Sequence, residues 1–321
     1  MWLKPHGLSY KPKNNYNKLI IKMKKHLYIV LLVGLTAQLW SNKAMAQEPF
    51  TFTQYMNNLT PVNNAYATTD NAANINVVGR RQWIGIDGAP STFMFNGSVP
   101  LAGIGSNAGL VVLQDKIGSE NLTEINAFFA KKVQLSGTNF LSASINAGFR
   151  NHKITYSTLD PTDPKFQNSD VNETITNIGF GVMLYGSNYY VGVSVPRLSL
   201  GSSAVTGLPT AYYLTGAYVK DLGTDFKIKP SVLLSYQGNA LPLEYNVSAT
   251  LFVKDAVGLG VNYRNDNAVA GIISVNATKN IQFGYSYQFS VGKYPVGGIN
   301  NTTQELTLSY RFGKSLASKF L

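Results

Sequence analysis

Side chains that commonly carry out chemistry are scarce in this sequence. Beyond residue 46 the chain contains a single histidine, His152, and the whole chain contains no cysteine. His152 stands in the run FRNHKITY without a flanking catalytic constellation. A Ser-His-Asp triad or a histidine-based metal site would therefore depend on one isolated residue. We predict a protein that is not an enzyme, with no catalytic residues, no metal ion and no cofactor.

The densest acidic stretch is 156–173, with the sequence YSTLDPTDPKFQNSDVNE. Carboxylates this close together could bind Ca²⁺, but their spacing matches no EF-hand loop. The stretch is better interpreted as a solvated acidic loop with two proline turns. Its acidic residues are Asp160, Asp163, Asp170 and Glu173.

The net charge of +11 suggests nucleic acid binding only until the position of the charge is considered. Residues 1–46 hold eight lysines and no acidic residue. Subtracting these eight from the 27 basic residues leaves 19, against 16 acidic residues. A basic binding face should survive this subtraction, so nucleic acid is excluded as a partner.

The basic N-terminal region has the organisation of a secretory signal peptide. Residues 23–46 combine a basic start at Met23-Lys24-Lys25, the apolar run LYIVLLVGLTAQLW and the small-residue site Ala-Met-Ala. We predict cleavage between Ala46 and Gln47. Residues 1–22 lie upstream of a natural start at Met23 and are interpreted as a mis-set initiation site. Without cysteine, the exported protein must hold together without disulfides.

From residue 74 onward the sequence alternates with a period of two. In FLSASINAGF, YNVSATLFV and IQFGYSYQF, apolar side chains alternate with Ser, Asn, Thr, Gln or Gly. Such runs predict strands with one apolar and one small polar face. About fourteen strands, mostly about ten residues long, fit between residues 74 and 313.

The composition of the two faces distinguishes a membrane barrel from a soluble β-sandwich. Charged residues make up 13% of the chain, against the ~25% usual in soluble domains. Small polar side chains suit a barrel interior, whereas Tyr and Phe suit lipid and its interfaces. We therefore predict an all-β protein, an antiparallel transmembrane β-barrel of the cell outer membrane, with residues 74–313 as the barrel.

The connections support the same architecture. The three longest, 156–173, 197–209 and 291–302, all follow odd-numbered strands, as expected for long outer loops and short periplasmic turns. Residues 47–73 are predicted to form a periplasmic or lumenal segment that could plug the barrel, and residues 314–321 a C-terminal tail. Gly-x-Gly pieces such as GFGV lie inside strands and are interpreted as small lumen-facing positions or sites of close strand packing, not as phosphate loops.

The stretch RRQWIGIDGAPSTFMFNGSVPL contains a turn signal between two strand-like runs. Asp87-Gly88 is predicted to supply the positive φ of a tight hairpin, and Pro90 to restrain the chain as it enters the second strand. Trp83 is predicted to lie near a membrane interface, with its ring in the apolar zone and its N–H toward water.

This stretch resembles the first hairpin of the PorP/SprF family, outer-membrane proteins of the Bacteroidetes type IX secretion and gliding system. In that family a Q-W-x-G-x-D-G-A-P-x-T pattern recurs. The matching residues are Gln82, Trp83, Gly85, Asp87, Gly88, Ala89, Pro90 and Thr92.

Further stretches are similar to the same family. FTFTQYMNNLTPVNNAYAT resembles its F-x-Q-Y-M-x-N…N-P-A-Y-A opening segment, and LQDKIGSEN, LDPTDPKF and YYVGVSVPRL resemble later motifs. Asn64 departs from the pattern, because the family usually has Pro there. The opening-segment matches are Phe52, Gln54, Tyr55, Met56, Asn58, Asn63, Ala65, Tyr66 and Ala67.

The resemblance implies a non-enzymatic barrel that acts with the type IX secretion system. It would support secretion, or retain a secreted surface protein such as a gliding adhesin by binding its C-terminal domain. Its partners would be that domain, other secretion components and outer-membrane lipid. The outer-loop residues proposed to contact the secreted partner are Asp160, Asp163, Phe166 and Asp170.

Two alternatives of other classes remain open at the level of the sequence. A FadL-like transporter of hydrophobic compounds also has an N-terminal hatch inside a barrel. It would need a continuous hydrophobic pocket, whereas the inward faces are predicted to be small and polar. A simple porin-like barrel is the second alternative.

Overall fold

The computed structural model describes the greater part of the predicted barrel and the segment before it. The predicted signal peptide, its cleavage site at Ala46 and Gln47, and the tail 314–321 lie outside the described residues. Within the described ranges, no helix is long and apolar enough to cross a membrane. The described residues are 51–158, 163, 169–201, 209–238, 242–291 and 302–313.

The secondary structure is almost entirely β-strand. The strands are β1 Asn74–Gln82, β2 Ser91–Leu101, β3 Ser106–Ile117, β4 Glu120–Ser136, β5 Asn139–Ile154, β6 Val171–Tyr185, β7 Tyr189–Leu200, β8 Tyr212–Tyr218, β9 Lys220–Asp221, β10 Phe226–Tyr236, β11 Glu244–Val253, β12 Val257–Arg264, β13 Ala268–Asn276, β14 Ile281–Ser290 and β15 Thr303–Arg311. Short 3₁₀ helices cover Tyr55–Asn57, Asn64–Thr69, Ala102–Ile104 and Tyr156–Thr158.

The strands close into a barrel. β8 and β9 both pair with β10 and are two parts of one barrel strand, so the described segments form fourteen barrel strands. All neighbours are antiparallel, and β15 pairs with β1 from Asn74↔Arg311 to Gln82↔Thr303. Closure removes the unpaired strand edges that lipid does not tolerate. The predicted fourteen-stranded antiparallel barrel is confirmed.

The two faces of the wall follow the predicted alternation. On β5, Ser142, Ser144 and Asn146 point inward and are buried, whereas Leu141 and Ile145 point outward and are exposed. The outward face carries large apolar side chains around the barrel, which suits contact with lipid.

The strand ends that flank the long connections all lie at one end of the barrel. Residues 155–170, 201–211 and 291–302 follow strands that run in the same direction, and the opposite end has short turns such as 137–138 and 254–256. Because outer-membrane barrels place short turns in the periplasm, we assign the end with long connections as the outer end.

Three neighbouring strands are longer than predicted. β4, β5 and β6 contain 17, 16 and 15 residues, whereas about 9–11 residues suffice to cross a membrane. Their outer parts carry polar residues on the outward face, and Asn151 Nδ2 donates to Asn172 Oδ1 at 2.8 Å and to Thr174 Oγ1 at 2.9 Å. These polar ends are compatible with water and not with hydrocarbon, so this part of the wall extends beyond the membrane.

Inward glycines allow the wall and its lining to pack closely. A Cβ atom at Gly148 would collide with the carbonyl oxygen of Ile125, and one at Gly179, beside a register shift between β6 and β7, with the carbonyl oxygen of Pro196. The obstacles are backbone atoms, which cannot rotate away. Gly179 belongs to the GFGV piece, so close strand packing explains that glycine.

We predict that Gly148→Ala destabilises the folded barrel by about 1–3 kcal/mol, because the added methyl group must displace backbone. The measurement is urea unfolding in detergent, followed by the mobility shift of unboiled samples on SDS gels. Gly271→Ala is the matched control, since a Cβ atom there meets nothing within 4 Å. Equal unfolding midpoints for the two variants would contradict the packing argument.

Candidate functional site

The lumen of the barrel is occupied by the chain itself. Among residues 51–70, which we call the plug, all but Asn57, Tyr66 and Thr69 are buried. The plug has little regular structure, so its backbone polar groups must be satisfied by the wall. Its hydrogen bonds to the wall therefore hold the plug in place within the lumen.

The beginning of the plug is bound by a buried carboxylate on β15. Glu305, 1% exposed, accepts hydrogen bonds from the backbone N–H groups of Thr53 at 2.6 Å and Gln54 at 3.1 Å. Arg80 on β1 places its Nε 3.4 Å from the same carboxylate and donates from Nη1 to the carbonyl of Thr51 at 2.8 Å. One ion pair thus bridges the strands that close the barrel and binds the plug at Thr51, Thr53 and Gln54.

The next plug residues reach two different parts of the wall. The side-chain amide of Gln54 donates to the carbonyl of Glu305 and accepts from Thr307 Oγ1 at 3.2 Å, in space left by the absence of a side chain at Gly284. Tyr55 donates from its hydroxyl to the carbonyl of Asn246 at 3.2 Å. Burial raises the pKa of the Tyr55 hydroxyl, so the group stays a hydrogen-bond donor.

A buried lysine holds the following turn. Lys229 on β10 is 2% exposed and donates from Nζ to the carbonyl of Met56 at 2.7 Å. Its ammonium group also lies 5.9 Å from the ring centre of Tyr190. Both contacts favour the charged form of this buried amine.

Asparagine side chains fix the middle of the plug. Asn58 and Asn96 on β2 exchange two amide hydrogen bonds, at 2.6 Å and 3.3 Å. Asn63 accepts from the N–H of Ala65 and donates to the carbonyls of Val182 and Val193, both at 3.2 Å. A Cβ atom at either Gly181 or Gly192 would crowd this side chain, so these wall glycines make room for it.

The end of the plug is bound near the periplasmic end of the barrel. The carbonyl of Thr68 accepts from Tyr185 Oη at 2.9 Å and Lys132 Nζ at 3.1 Å. Asp70 pairs with Arg311 Nε at 2.9 Å. The plug therefore contacts strands from every side of the barrel between its first and last described positions.

The lumen is less polar than the sequence predicts. Apolar plug residues pack against large inward side chains of the wall, because the plug supplies apolar surface that must itself be buried. The buried cluster contains Phe52, Tyr55, Met56, Leu59, Val62, Ala65, Val78, Met94, Leu113, Met183, Tyr185, Tyr190, Tyr213, Ala217, Leu233 and Ile272. The prediction of small polar inward faces is thus wrong for these wall positions.

A second charged cluster lies further toward the outer end. Glu124 on β4, 1% exposed, accepts from Arg197 Nε at 2.6 Å and Arg150 Nη2 at 3.2 Å. Asn126 Nδ2 donates to the same carboxylate at 2.5 Å. One carboxylate between two guanidinium groups links β4, β5 and β7 across the inner wall.

The connection between β1 and β2 forms a fixed loop at the outer end, which we call the rim loop, residues 83–90. It is closed by the N–H of Gln82 donating to the carbonyl of Pro90 at 2.9 Å. It is also tied to both neighbours, since Ile84 N–H donates to Thr302 at 3.4 Å and the carbonyl of Gly88 accepts from Gly118 N–H at 2.8 Å.

The backbone of the rim loop differs from the predicted tight hairpin. Gly88 has the expected positive φ of 74°, but Asp87 does not, and Trp83 and Gly85 have φ values of 49° and 94°. An eight-residue loop needs several changes of direction, so it uses more than one left-handed position. Trp83 remains 37% exposed.

A comparison with protein-family models gives one match, described as "Type IX secretion system membrane protein PorP/SprF", over residues 44–310. This chain belongs to the PorP/SprF family. The resemblance in the sequence motifs is confirmed, and the family and the barrel fold together establish an outer-membrane location. Among curated proteins, none matches the sequence significantly.

Solved structures similar to this PorP/SprF protein are outer-membrane proteins. Omp33 of Acinetobacter baumannii is 13% identical, with a TM-score of 0.47 over 76% of this chain and 100% of that chain. The CymD monoaromatic hydrocarbon channel is 12% identical, with a TM-score of 0.49 over 86% and 96%. The toluene transporter TodX of P. putida is 10% identical, with a TM-score of 0.46 over 83% and 95%.

The opening-segment motif and the first-hairpin motif occupy different places in this PorP/SprF protein. Gln54, Tyr55 and Met56 lie in the plug and bind the wall, whereas the motif Gln82–Pro90 forms the closure of the rim loop and the loop itself. The structure does not bring them into one site. Each motif has a structural role in its own region.

The predicted outer-loop contacts are only partly described. Asp160 and Phe166 lie outside the described residues, and Asp163 and Asp170 lie within them. Asp170 accepts from the backbone N–H and the hydroxyl of Ser157, both at 2.9 Å, and these bonds lower the pKa of its carboxyl group. Asp170 therefore closes the base of this connection.

The residues considered for chemistry do not assemble into a reactive site. His152 Nε2 lies 3.5 Å from the exposed carboxylate of Glu120 at the outer end. In the part of the chain that the structure describes, no group of three or more His, Asp or Glu residues could hold a metal ion.

Sequence reasoning did not identify the charged wall residues that bind the plug. Inward and outward residues alternate along each strand, and small polar residues are usual at the inward positions. Glu305, Arg80 and Lys229 are charged residues at such inward positions. A charged residue at an inward position of a strand is a signal that the sequence does contain, because a buried charge requires a partner. The sequence does not say which distant residue the partner is.

We predict that Glu305→Gln frees the beginning of the plug and destabilises the barrel by about 3–5 kcal/mol, because Arg80 loses its buried counterion. Hydrogen–deuterium exchange of the amides of residues 51–58 measures the release. Glu120→Gln is the control, since that carboxylate is 51% exposed and should change stability by less than about 0.5 kcal/mol. Unchanged protection in Glu305→Gln would contradict the assigned anchor.

Proposed function

We propose that this barrel retains a secreted surface protein at the cell surface by binding its C-terminal domain, in association with other type IX secretion components. Membership of the PorP/SprF family supports a role in secretion. The observation that carries the finer proposal is the plug, which is hydrogen-bonded to the wall from Thr51 to Asp70. A lumen filled in this way favours binding at the outer surface over passage through the barrel.

The extended part of the wall supports the same proposal. The connection 155–170 begins and ends on the polar, hydrogen-bonded outer ends of β5 and β6. The described ends of this connection thus lie on the part of the wall that extends beyond the membrane, where a large protein can approach. Its proposed contact residues are Asp160, Asp163, Phe166 and Asp170.

The rim loop supplies a second surface suited to protein binding. Trp83 and Ile84 are 37% and 44% exposed on a loop whose backbone is bonded to both neighbouring connections. Exposed aromatic residues on a rigid support are typical of the residues that dominate binding energy, because little entropy is lost on association.

The alternative of a transporter for hydrophobic compounds is favoured by one observation. The buried cluster in the lumen is apolar and aromatic, with Tyr190 and Tyr213 among its wall residues. The plug already covers this surface, so a hydrophobic ligand would have to displace plug residues. Specific binding of toluene by the purified barrel, with increased exchange of the plug amides, would support the transporter.

The retention proposal is tested by a mild-detergent pull-down of the tagged barrel from outer membranes, followed by mass spectrometry. We expect one large secreted protein with a C-terminal sorting domain in near-stoichiometric amount. Removal of that domain should abolish recovery. Recovery of the barrel alone would contradict retention.

We predict that replacing residues 158–169 by Gly-Ser-Gly releases the secreted partner into the medium while the barrel stays folded. The replacement keeps Ser157 and Asp170, which close the base of the connection. Replacing residues 202–208 in the next outer connection by the same tripeptide is the control and should leave the partner bound. Full retention in the first variant would remove this loop from the interface.

A further inference from the structure

The lipid-facing wall has a groove on β1 just below the rim loop. Gly79 points outward and is paired with Leu306 on β15 and Phe93 on β2. A Cβ atom at Gly79 would meet nothing within 4 Å, whereas Leu306 and Phe93 are 65% and 47% exposed. The missing side chain therefore leaves a channel between two protruding apolar residues.

Two cations lie directly above this groove, toward the outer end. Arg81 is paired with Ser91, and Ser91 is paired with Lys116, so the two basic residues flank one serine on the same outward face. Strands are spaced ~4.8 Å apart, which places their Cα atoms about 10 Å apart. Arg and Lys side chains are long enough to bind one group between them.

The charges of these two residues are not neutralised locally. Both side chains are exposed, and neither forms a hydrogen bond or an ion pair with another described residue. Asp115, next to Lys116 in the chain, faces inward and accepts from Thr92 Oγ1 at 2.6 Å. The outward face thus presents two free positive charges at the upper edge of an apolar surface.

The rim loop sets the level of this site in the membrane. Trp83, Ile84 and Ile86 line the same concavity as Gly79, Arg81 and Lys116. Tryptophan prefers the boundary between hydrocarbon and headgroups, where its ring contacts lipid and its N–H remains solvated. The cations therefore lie close to this boundary, where their long side chains reach the headgroups, and the Gly79 channel lies on its acyl-chain side.

We propose that this groove is a binding site for a phosphorylated acyl lipid of the outer leaflet. The phosphate lies between Arg81 and Lys116, and one acyl chain lies over Gly79 between Leu306 and Phe93. Charge complementarity selects an anionic headgroup, and the lipid-facing position of the channel selects an acyl chain. An acidic peptide would satisfy the cations but not the channel.

The headgroup part of the site is tested with monophosphoryl lipid A added to the purified barrel in detergent and measured by native mass spectrometry. Arg81→Gln with Lys116→Gln should weaken binding about tenfold or more. Lys220→Gln with Lys254→Gln is the control, because it removes two exposed positive charges near the periplasmic end. Equal binding by both double variants would overturn the proposal.

The acyl-chain part is tested by filling the channel. Gly79→Leu should weaken lipid binding, whereas Gly271→Leu, at an equally open and exposed outward position on β13, should not. Unboiled gel mobility verifies that both variants are folded. Equal lipid binding by Gly79→Leu and the unaltered protein would overturn the assignment of the channel.

Three further probes identify the ligand class: lipid A without phosphate, inorganic phosphate and an acidic peptide. Lipid A without phosphate should bind weakly, and inorganic phosphate at the same concentration should not displace monophosphoryl lipid A. Undiminished binding of the phosphate-free lipid would overturn phosphate recognition. Displacement by inorganic phosphate or by an acidic peptide would show that the cations bind anions without the acyl channel and would overturn the lipid proposal.

Discussion

The structure depends on one constraint: in hydrocarbon, every backbone N–H and C=O of a sheet must be bonded within the protein. The pairing of β1 with β15 meets this constraint by removing the last two free edges. Closure then divides the residues of each strand into a lipid-facing and an inward set. It also creates a lumen, and the way the lumen is filled decides what the barrel can do.

Here the lumen is filled by the chain segment that precedes β1. Glu305 contributes both to the closure of the wall and to the fixation of the plug. It pairs with Arg80 across the closing strands and accepts hydrogen bonds from two N–H groups of the plug. On the opposite side of the barrel, Lys229 of the wall donates to the plug and Asn63 of the plug donates to the wall. Two of the charges buried in the lumen, those of Glu305 and Lys229, are bonded to backbone groups of the plug, so the plug and the wall stabilise each other.

Much of the fold was predictable from the sequence, because alternation with a period of two reports which side of a sheet a residue faces. The run FLSASINAGF predicts the inward serines of β5 without knowledge of its neighbours. The site was less predictable, since Gln54 and Thr307 are separated by 253 residues. Local turn rules could not predict the backbone conformation of the rim loop either, because this loop is hydrogen-bonded to two other connections.

A plug bound to the wall closes the barrel, so that the proposed binding of a secreted protein takes place at its outer end. Conductance in planar lipid bilayers measures whether the plug closes the barrel, on the protein without residues 1–46, which include the predicted signal peptide, and on a folded variant that also lacks residues 47–73. If the plug closes the barrel, no steady ion current passes through the first protein and a stable current passes through the second. Equal stable currents through both would contradict it.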